Sequence, residues 1–127
     1  MLEQWHQVVK NRDIAQLANI LADNAVLHSP VIHRKVEGKA MVSMYLTAAL
    51  HTFANKSFTY DREFLADNGA VLEFSTEIDG IHVNGIDMIT WDSEGKITDF
   101  KVMVRPLKAI NLINDKMTAL LEKYKAG

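Results

Sequence analysis

The chain has 127 residues, and 48% of them are hydrophobic, which suits a single domain with a buried core over residues 1–127. The formal net charge is −2 with acids and bases interspersed, so neither nucleic acid nor an anionic membrane is expected as a partner. Cysteine is absent, which excludes disulfides, thiol nucleophiles and cysteine-bound metal centres.

Targeting and cofactor motifs are not found. The N-terminal segment MLEQWHQVVKNRD lacks the basic-then-apolar order of a secretory signal, and no apolar run reaches the roughly 20 residues that span a bilayer. We therefore expect a cytoplasmic protein. No GxGxxG, GxxxxGK[ST], HExxH or GxSxG motif occurs, so no cofactor is indicated.

The chain begins with helical periodicity. One face of the first predicted helix carries Trp5, Val8 and Val9. Asp13 is a typical N-cap for a second helix, whose apolar positions run from Ile14 to Leu21 and which should end at Asp23-Asn24. We expect a pair of short helices here.

A strand, a loop and a third helix follow. AVLHSP predicts a short strand stopped by Pro30, and VIHRKVEG predicts a loop. The third helix then places five apolar side chains on one side: Val42, Tyr45, Leu46, Ala49 and Phe53.

After Asn55 the apolar period changes from helical to alternating. Strands are predicted near 58–66, 70–78, 82–91 and 96–105, separated by turn sequences that favour hairpins. Pro106 then opens a final helix. Its apolar stripe comprises Leu107, Ile110, Ile113, Met117, Leu120 and Tyr124. An antiparallel meander closed by a helix is the expected arrangement.

Asp87 is a carboxylate in an otherwise apolar strand, where it must find a partner or take up a proton. A two-residue turn at Asp79-Gly80 pairs Asp87 with Leu72, and a four-residue loop before Lys96 pairs it with Phe100. Its other expected neighbours on this face are Phe74 and Val102. A shift of one residue in the strand pairing would move Asp87 to the opposite face of the sheet.

The opposite face of the predicted sheet is mainly polar and charged, with residues such as Glu73, Asn84 and Lys101. Three apolar side chains interrupt it: Ile86, Met88 and Met103. Such a mixture fits either a wet surface or a polar-rimmed contact between subunits. We expect a homodimer through this face.

Three segments carry a family resemblance: NRDIAQLANILADNAVLHSP, Glu37-Gly38 before the third helix, and GIDMITWDSEGKITDFKVMVRP. In this order the chain resembles the nuclear transport factor 2-like superfamily, which includes ketosteroid isomerases, SnoaL-type polyketide cyclases and scytalone dehydratase. The resemblance implies an α+β cone, in which three helices, a curved mixed sheet and a C-terminal helix enclose a pocket for a small apolar molecule. It also implies a homodimer.

The resemblance assigns roles to three residues. Asp87 lies where ketosteroid isomerases keep a protonated aspartic acid that donates a hydrogen bond to an oxyanion. Trp5 lies at the position of the oxyanion-binding tyrosine, and its indole N–H can also donate. Ser29 replaces the isomerase's carboxylate base, and a serine hydroxyl cannot take a proton from carbon unaided. Steroid isomerisation by that mechanism is therefore disfavoured.

The assisting group beside Asp87 is left open between His28 and Ser29, because neighbours in a strand face opposite sides. The resemblance favours Ser29 inward, whereas a slip would make His28 the base. His33 either lines the mouth or is solvated. The spacing of the two histidines is no recognised metal-ligand spacing, so no metal is expected.

Aromatic residues provide the expected substrate-binding walls: Trp5, Tyr45, Tyr60, Phe74 and Phe100. Tyr60 can aim its hydroxyl inward. In the alternative interpretation, which involves no catalysis, the same aromatic residues belong to the hydrophobic core. The Asp87 carboxyl group is then hydrogen-bonded to Trp5 or to backbone amides.

Two functional hypotheses follow. The first is a cofactor-independent isomerase, lyase or cyclase that uses Asp87 as acid, base or hydrogen-bond donor on an apolar carbonyl or polyketide-like compound. The second is a non-catalytic module that binds a hydrophobic ligand or dimerises. A trafficking adaptor, like the superfamily's namesake, is a third possibility that would need a partner surface.

Overall fold

The computed structural model describes residues 2–126. The helices are α1 (Leu2–Asn11), α2 (Ile14–Ile20), α3 (Lys39–Phe53) and α4 (Leu107–Ala126). The strands are β1 (Leu21–His28), β2 (Val36–Glu37), β3 (Thr59–Ala66), β4 (Gly69–Ile78), β5 (Ile81–Trp91) and β6 (Ile97–Arg105). This order confirms the predicted α+β class, with three helices in the first half and a closing helix.

The strands form one mixed sheet in the order β2-β1-β6-β5-β4-β3, and the sheet is not closed. β1 and β6 run parallel, and the other neighbouring pairs run antiparallel. The last four strands are the predicted meander. One face of the sheet, here called the concave face, packs against the helices, and the other is the outer face.

The second helix is shorter than predicted. Asp13 caps it as expected, accepting a hydrogen bond of 3.1 Å from the backbone N–H of Gln16. The helix ends at Ile20 rather than at Asp23-Asn24, because Leu21 is already paired with Ile97 in the parallel ladder. The strand therefore starts four residues before the predicted AVLHSP segment.

The predicted loop VIHRKVEG contains a short strand. Val36 and Glu37 pair antiparallel with Leu27 and Val26 of β1, so the sheet gains an edge strand. Val36 is buried beside the core, which gives this pairing its apolar contact. Gly38 then forms the N-cap of α3 with a φ of +93°, a conformation that favours glycine.

Helices α3 and α4 pack against each other and contribute to the core. The predicted apolar side of α3 is buried at Val42, Leu46 and Phe53, and α3 contacts both the sheet and α4. On α4, Ile113 and Met117 are buried as predicted. Leu107 is exposed, so the stripe begins one turn later than the sequence pattern indicates.

Strand register is confirmed between β4 and β5, where Asp87 lies opposite Leu72. Between β5 and β6 the prediction is wrong by two residues, because Asp87 faces Val102 and not Phe100. A β-bulge at Thr98 adds one residue to β6, and the turn adds the other. A shift of two keeps every side chain on its face, so Asp87 stays on the concave side.

None of the helices within residues 2–126 is both long enough and apolar enough to cross a membrane.

Candidate active site

Asp87 lies in the middle of β5 on the concave face and is only 7% exposed. Its cross-strand neighbours there are Leu72 and Val102, which are also buried. A carboxyl group at such a position loses almost all of its hydration, which disfavours the ionised form.

The carboxyl group of Asp87 is met by a chain of two hydrogen bonds. The hydroxyl of Tyr60 donates to Asp87 Oδ2 at 2.7 Å, and the indole N–H of Trp5 donates to the Tyr60 hydroxyl oxygen at 2.9 Å. The expectation that Trp5 or backbone amides satisfy Asp87 is therefore wrong. Trp5 is one step removed, and Tyr60 is the direct partner.

Tyr60 reaches Asp87 because β3 contains a bulge. Glu63 pairs with Leu72 of β4, but Tyr60 pairs with Phe74, which leaves Asp61 as an extra residue between them. If the pairing of Glu63 with Leu72 continued without a bulge, Tyr60 would fall opposite Ser75 and point to the outer face. The bulge turns its ring to the concave side.

Burial raises the pKa of Asp87 to about 7, and the hydrogen bond from Tyr60 opposes part of that rise. The pKa of Tyr60 lies well above its ordinary value, first because of burial and then because of the nearby Asp87 charge. At neutral pH, Asp87 is therefore present in both protonation states, while Tyr60 keeps its proton. Such a carboxyl group can both accept and return a proton.

The carboxyl group opens on a small apolar cavity of about 40 Å³. Four of the five aromatic residues expected as walls lie around it: Trp5, Tyr60, Phe74 and Phe100. The Trp5 and Phe100 rings meet edge to face at 4.9 Å, so this wall is well packed. The space suits about one water molecule, whereas ligand pockets usually measure about 300–1,000 Å³.

Gly85 sets the position of the Phe74 wall. It lies opposite Phe74 on β5, and a Cβ atom there would come within 2.7 Å of Phe74 Cζ and still closer to the Met103 carbonyl oxygen. A glycine in a strand often marks such a close approach. The Phe74 ring lies directly against Gly85, and this position lets the ring form one wall of the cavity.

A wider groove of about 520 Å³ lies next to the cavity, between α1 and the segment that joins α3 to β3. The cavity and the groove share four lining residues: Val9, Ala54, Phe58 and Tyr60. Phe58 stacks on Phe74 with ring centroids 5.4 Å apart. The side chains of Phe58 and Tyr60 therefore separate the buried carboxyl group from the groove.

Ser29 and Tyr45 lie beside a second cavity of about 30 Å³. This cavity shares four lining residues with the first, Leu46, Ala49, Phe53 and Val102, but Asp87 does not line it. The Ser29 hydroxyl oxygen accepts a hydrogen bond of 3.2 Å from the backbone N–H of Val31. Ser29 is inward, as the resemblance implied, yet it is not in the Asp87 cavity.

His28 points to the outer face, where its Nε2 atom lies 2.9 Å from Asp99 Oδ1. The alternative in which His28 faces the cavity as a base is therefore wrong. His33 is exposed in the loop before β2. Within residues 2–126, no three histidine or acidic side chains come together as a metal site.

Residues 2–100 match the family model described as a SnoaL-like domain. The chain belongs to this family. No curated protein matches it.

Solved structures agree with the SnoaL-like assignment. A steroid delta-isomerase from Pseudomonas aeruginosa is 36% identical, with a TM-score of 0.93 over 99% of this chain and 92% of that one. A protein with a cystatin-like fold from Silicibacter pomeroyi DSS-3 is 26% identical, with a TM-score of 0.86 over 93% and 82%. An NTF2-like protein from Mesorhizobium loti, at 18% identity and a TM-score of 0.71 over 83% and 88%, shares the fold.

The sequence predicted most of the residues that line this site but not the hydrogen bonds between them. Asp87, Trp5, Phe74 and Phe100 lie where the predicted faces place them. The bond between Tyr60 and Asp87 was missed because the Asp61 bulge has no clear signal in the sequence. Phe58 lies with Tyr60 between the cavity and the groove, a position that its aromatic character alone does not reveal.

Proposed function

We propose that this protein is a cofactor-independent enzyme that moves a proton on a small, mainly apolar carbonyl compound, with Asp87 as the acid and base. The observation that carries the proposal is the buried Asp87 carboxyl group, whose pKa is raised to about 7 and whose partner is the Tyr60 hydroxyl. The likeness to a protein named steroid delta-isomerase supports an isomerase-type reaction.

The reaction begins with Asp87 ionised. Its carboxylate takes the proton from the carbon next to the substrate carbonyl, and the electron pair moves to the carbonyl oxygen to give an enolate. The acidic proton of the protonated Asp87 exchanges with solvent, and the carboxyl group then donates a proton to another carbon of the conjugated system, which moves the double bond. One carboxyl group thus serves as base and then as acid.

Tyr60 is the donor for the enolate oxygen. It keeps its own proton at neutral pH, and the hydrogen bond that it accepts from Trp5 makes its hydroxyl a stronger donor. During the reaction this hydroxyl turns from Asp87 to the substrate oxygen. Tyr60 and Trp5 together then replace the donor pair of the isomerase mechanism, in which the aspartic acid itself donates.

Substrate entry requires the cavity to widen. The 40 Å³ seen here is far below the volume of a typical ligand site, while the adjoining groove offers about 520 Å³. Phe58 and Tyr60 are half-buried and lie between the two spaces. Rotation of the Phe58 ring away from Phe74 would join them.

The test follows proton transfer without requiring the natural substrate. The protein is incubated in D₂O with β,γ-unsaturated ketones ranging from cyclohexenones to steroids, and deuterium uptake and double-bond migration are measured by NMR. We expect uptake with at least one compound, lowered roughly 100-fold or more by Asp87→Asn. Asp99→Asn, which changes the outer carboxylate, is the matched control and should leave the rate unchanged.

A second candidate is a binding protein without turnover. It is favoured by the position of Ser29, which replaces the isomerase's base and lies outside the Asp87 cavity, bonded to Val31. In that case, ketones would bind and come back unlabelled from D₂O. Saturable binding with no deuterium uptake across the panel would decide for this candidate.

We also propose that the protein works as a homodimer through the outer face of the sheet. Met88 and Met103 are exposed there, with the half-buried Ile86 beside them. Analytical ultracentrifugation should give twice the mass of one chain, and Met103→Lys should lower it to that of the monomer. A monomeric parent protein would refute this proposal.

A further inference from the structure

We infer that the compound entering the Asp87 cavity carries an anionic group, a carboxylate or phosphate, which Lys10, Arg12 and Lys56 bind at the mouth. This inference rests on the proposed function only in taking the cavity as a ligand site. It names a feature of the substrate that the apolar cavity itself does not indicate.

The groove at the mouth carries basic residues on both of its walls. Lys10 lies in the last turn of α1, Arg12 follows at the turn into α2, and Lys56 lies on the opposite wall between α3 and β3. All three are exposed, and no aspartate or glutamate is found among the described residues that line the groove. Cations that surround a cleft in this way attract and hold an anion.

Nearby acids do not neutralise these three residues. The ion pairs found within residues 2–126 do not include Lys10, Arg12 or Lys56. His6, the fourth basic residue of the groove, is already paired with Glu63 at 2.6 Å. The positive charge of the mouth is therefore available to a ligand.

The two walls of the groove are held in place. The Arg12 guanidinium donates to the Ala54 carbonyl oxygen, which ties the α1–α2 turn to the end of α3. A guanidinium has five N–H groups, so others remain for a ligand. On the facing wall, the Asn55 side chain donates to the Glu77 carbonyl oxygen at 3.0 Å and accepts from the Ser57 N–H at 2.8 Å. These bonds fix the segment that carries Lys56.

The apolar and basic surfaces are continuous. Val9, Ala54, Phe58 and Tyr60 line both the groove and the cavity. A ligand can therefore place its charged end in the groove while its apolar carbonyl end reaches Asp87. A fully apolar compound would leave the basic mouth unused, and a fully polar one would not enter the cavity.

Matched pairs of ligands test the charge. Phenylacetate and 2-naphthylacetate are compared with their uncharged amides, and phenyl phosphate is compared with phenol. Affinity is measured by calorimetry and by fluorescence in a Trp91→Phe background, where Trp5 is the one remaining tryptophan. We expect the anions to bind about tenfold more tightly than their uncharged partners at low salt, and less so as salt is added. Tighter binding of the arylacetates than of phenyl phosphate would indicate a carboxylate site, and the reverse order would indicate a phosphate site.

The variant Lys10→Gln/Lys56→Gln removes two cations without touching the Arg12 contact. We expect it to weaken anion binding roughly three- to tenfold and to leave amide binding within about twofold. The control variant is Lys35→Gln/Lys39→Gln, which removes the same charge near the other end of α3. It should change neither the affinity for anions nor the affinity for amides.

Equal affinity for acids and amides, failure of every anion to bind, or loss of anion binding in the control variant would each overturn the inference. The proposed chemistry fails differently. If the deuterium test shows no proton transfer while the preference for anions persists, the basic mouth stands and the enzyme proposal falls.

Discussion

The two faces of the sheet hold one instructive pair of carboxyl groups, Asp87 and Asp99. Among the described residues, each has one side-chain hydrogen-bond partner, which lies on a different element: Tyr60 for Asp87 and His28 for Asp99. Asp87 is 7% exposed on the concave face, whereas 40% of the Asp99 side chain is exposed on the outer face. The comparison teaches that the face of the sheet, and not the number of hydrogen bonds, makes one carboxyl group a candidate for chemistry.

The largest expected effect is on the pH dependence of stability. The pKa of Asp87 is about 7 in the folded protein and about 3.8 unfolded, so the folded state binds more protons between these values. The free energy of unfolding should therefore fall as the pH rises from about 4 to about 7, by roughly 4 kcal/mol at most. Urea unfolding at several pH values measures it.

Asp87→Asn should remove this contribution, because the amide does not titrate. The difference between the variant and the parent should then grow in favour of the variant as the pH rises from 4 to 7. Asp99→Asn is the matched control and should keep the parent's slope. Parallel curves for the parent and Asp87→Asn would show that Asp87 is not buried as described.

Gly85→Ala should have the next largest effect, because the added methyl group meets the Phe74 ring and the Met103 carbonyl oxygen. Overpacking of this kind costs about 1–3 kcal/mol. Gly95→Ala is a suitable comparison, since a Cβ there meets open space and the cost comes only from its φ of +75°. Thermal unfolding would measure both, and an unchanged midpoint in Gly85→Ala would contradict the close approach.

Tyr60→Phe should raise the pKa of Asp87 further, by roughly one unit, because the hydrogen bond that favours the carboxylate is lost. Carbon-13 NMR of the aspartate carboxyl groups, with Asp87→Asn for assignment, follows the titration. Tyr45→Phe is the control, since Tyr45 lies by the other cavity. A pKa that stays the same in Tyr60→Phe would mean that the bond contributes nothing.

The smallest effect is expected on the outer face. His28→Gln removes a half-exposed contact with Asp99, and such pairs contribute about 0–1 kcal/mol. Stability should change little, and the Asp87 titration should not change at all. A shift of that titration would reveal coupling across the sheet and would weaken the contrast between the two faces.

Much of the fold could be predicted because it depends on local patterns. Asp13 marked the start of α2, the change of period after Asn55 marked the sheet, and Asp79-Gly80 fixed the register that places Asp87 opposite Leu72. Turn residues and apolar periods act over a few neighbouring positions, so a single sequence reveals them.

The rest depended on residues far apart in the chain. The bulge at Asp61 turns Tyr60 toward Asp87, and the bulge at Thr98 brings Val102, rather than Phe100, opposite it. Bulges arise where the strands of a bent sheet must fit both their partners and the helices that cover them. No local pattern specifies that fit.

The sequence by itself determined that one aspartate lies on the apolar face of an antiparallel sheet, because alternation and turn chemistry are local properties. Only the tertiary structure decided that Tyr60 bonds to it, that Ser29 and His28 stand apart from it, and that the groove beside the cavity is lined by basic residues. These features join α1, the end of α3 and three strands, and their distances are fixed only when the helices pack on the sheet.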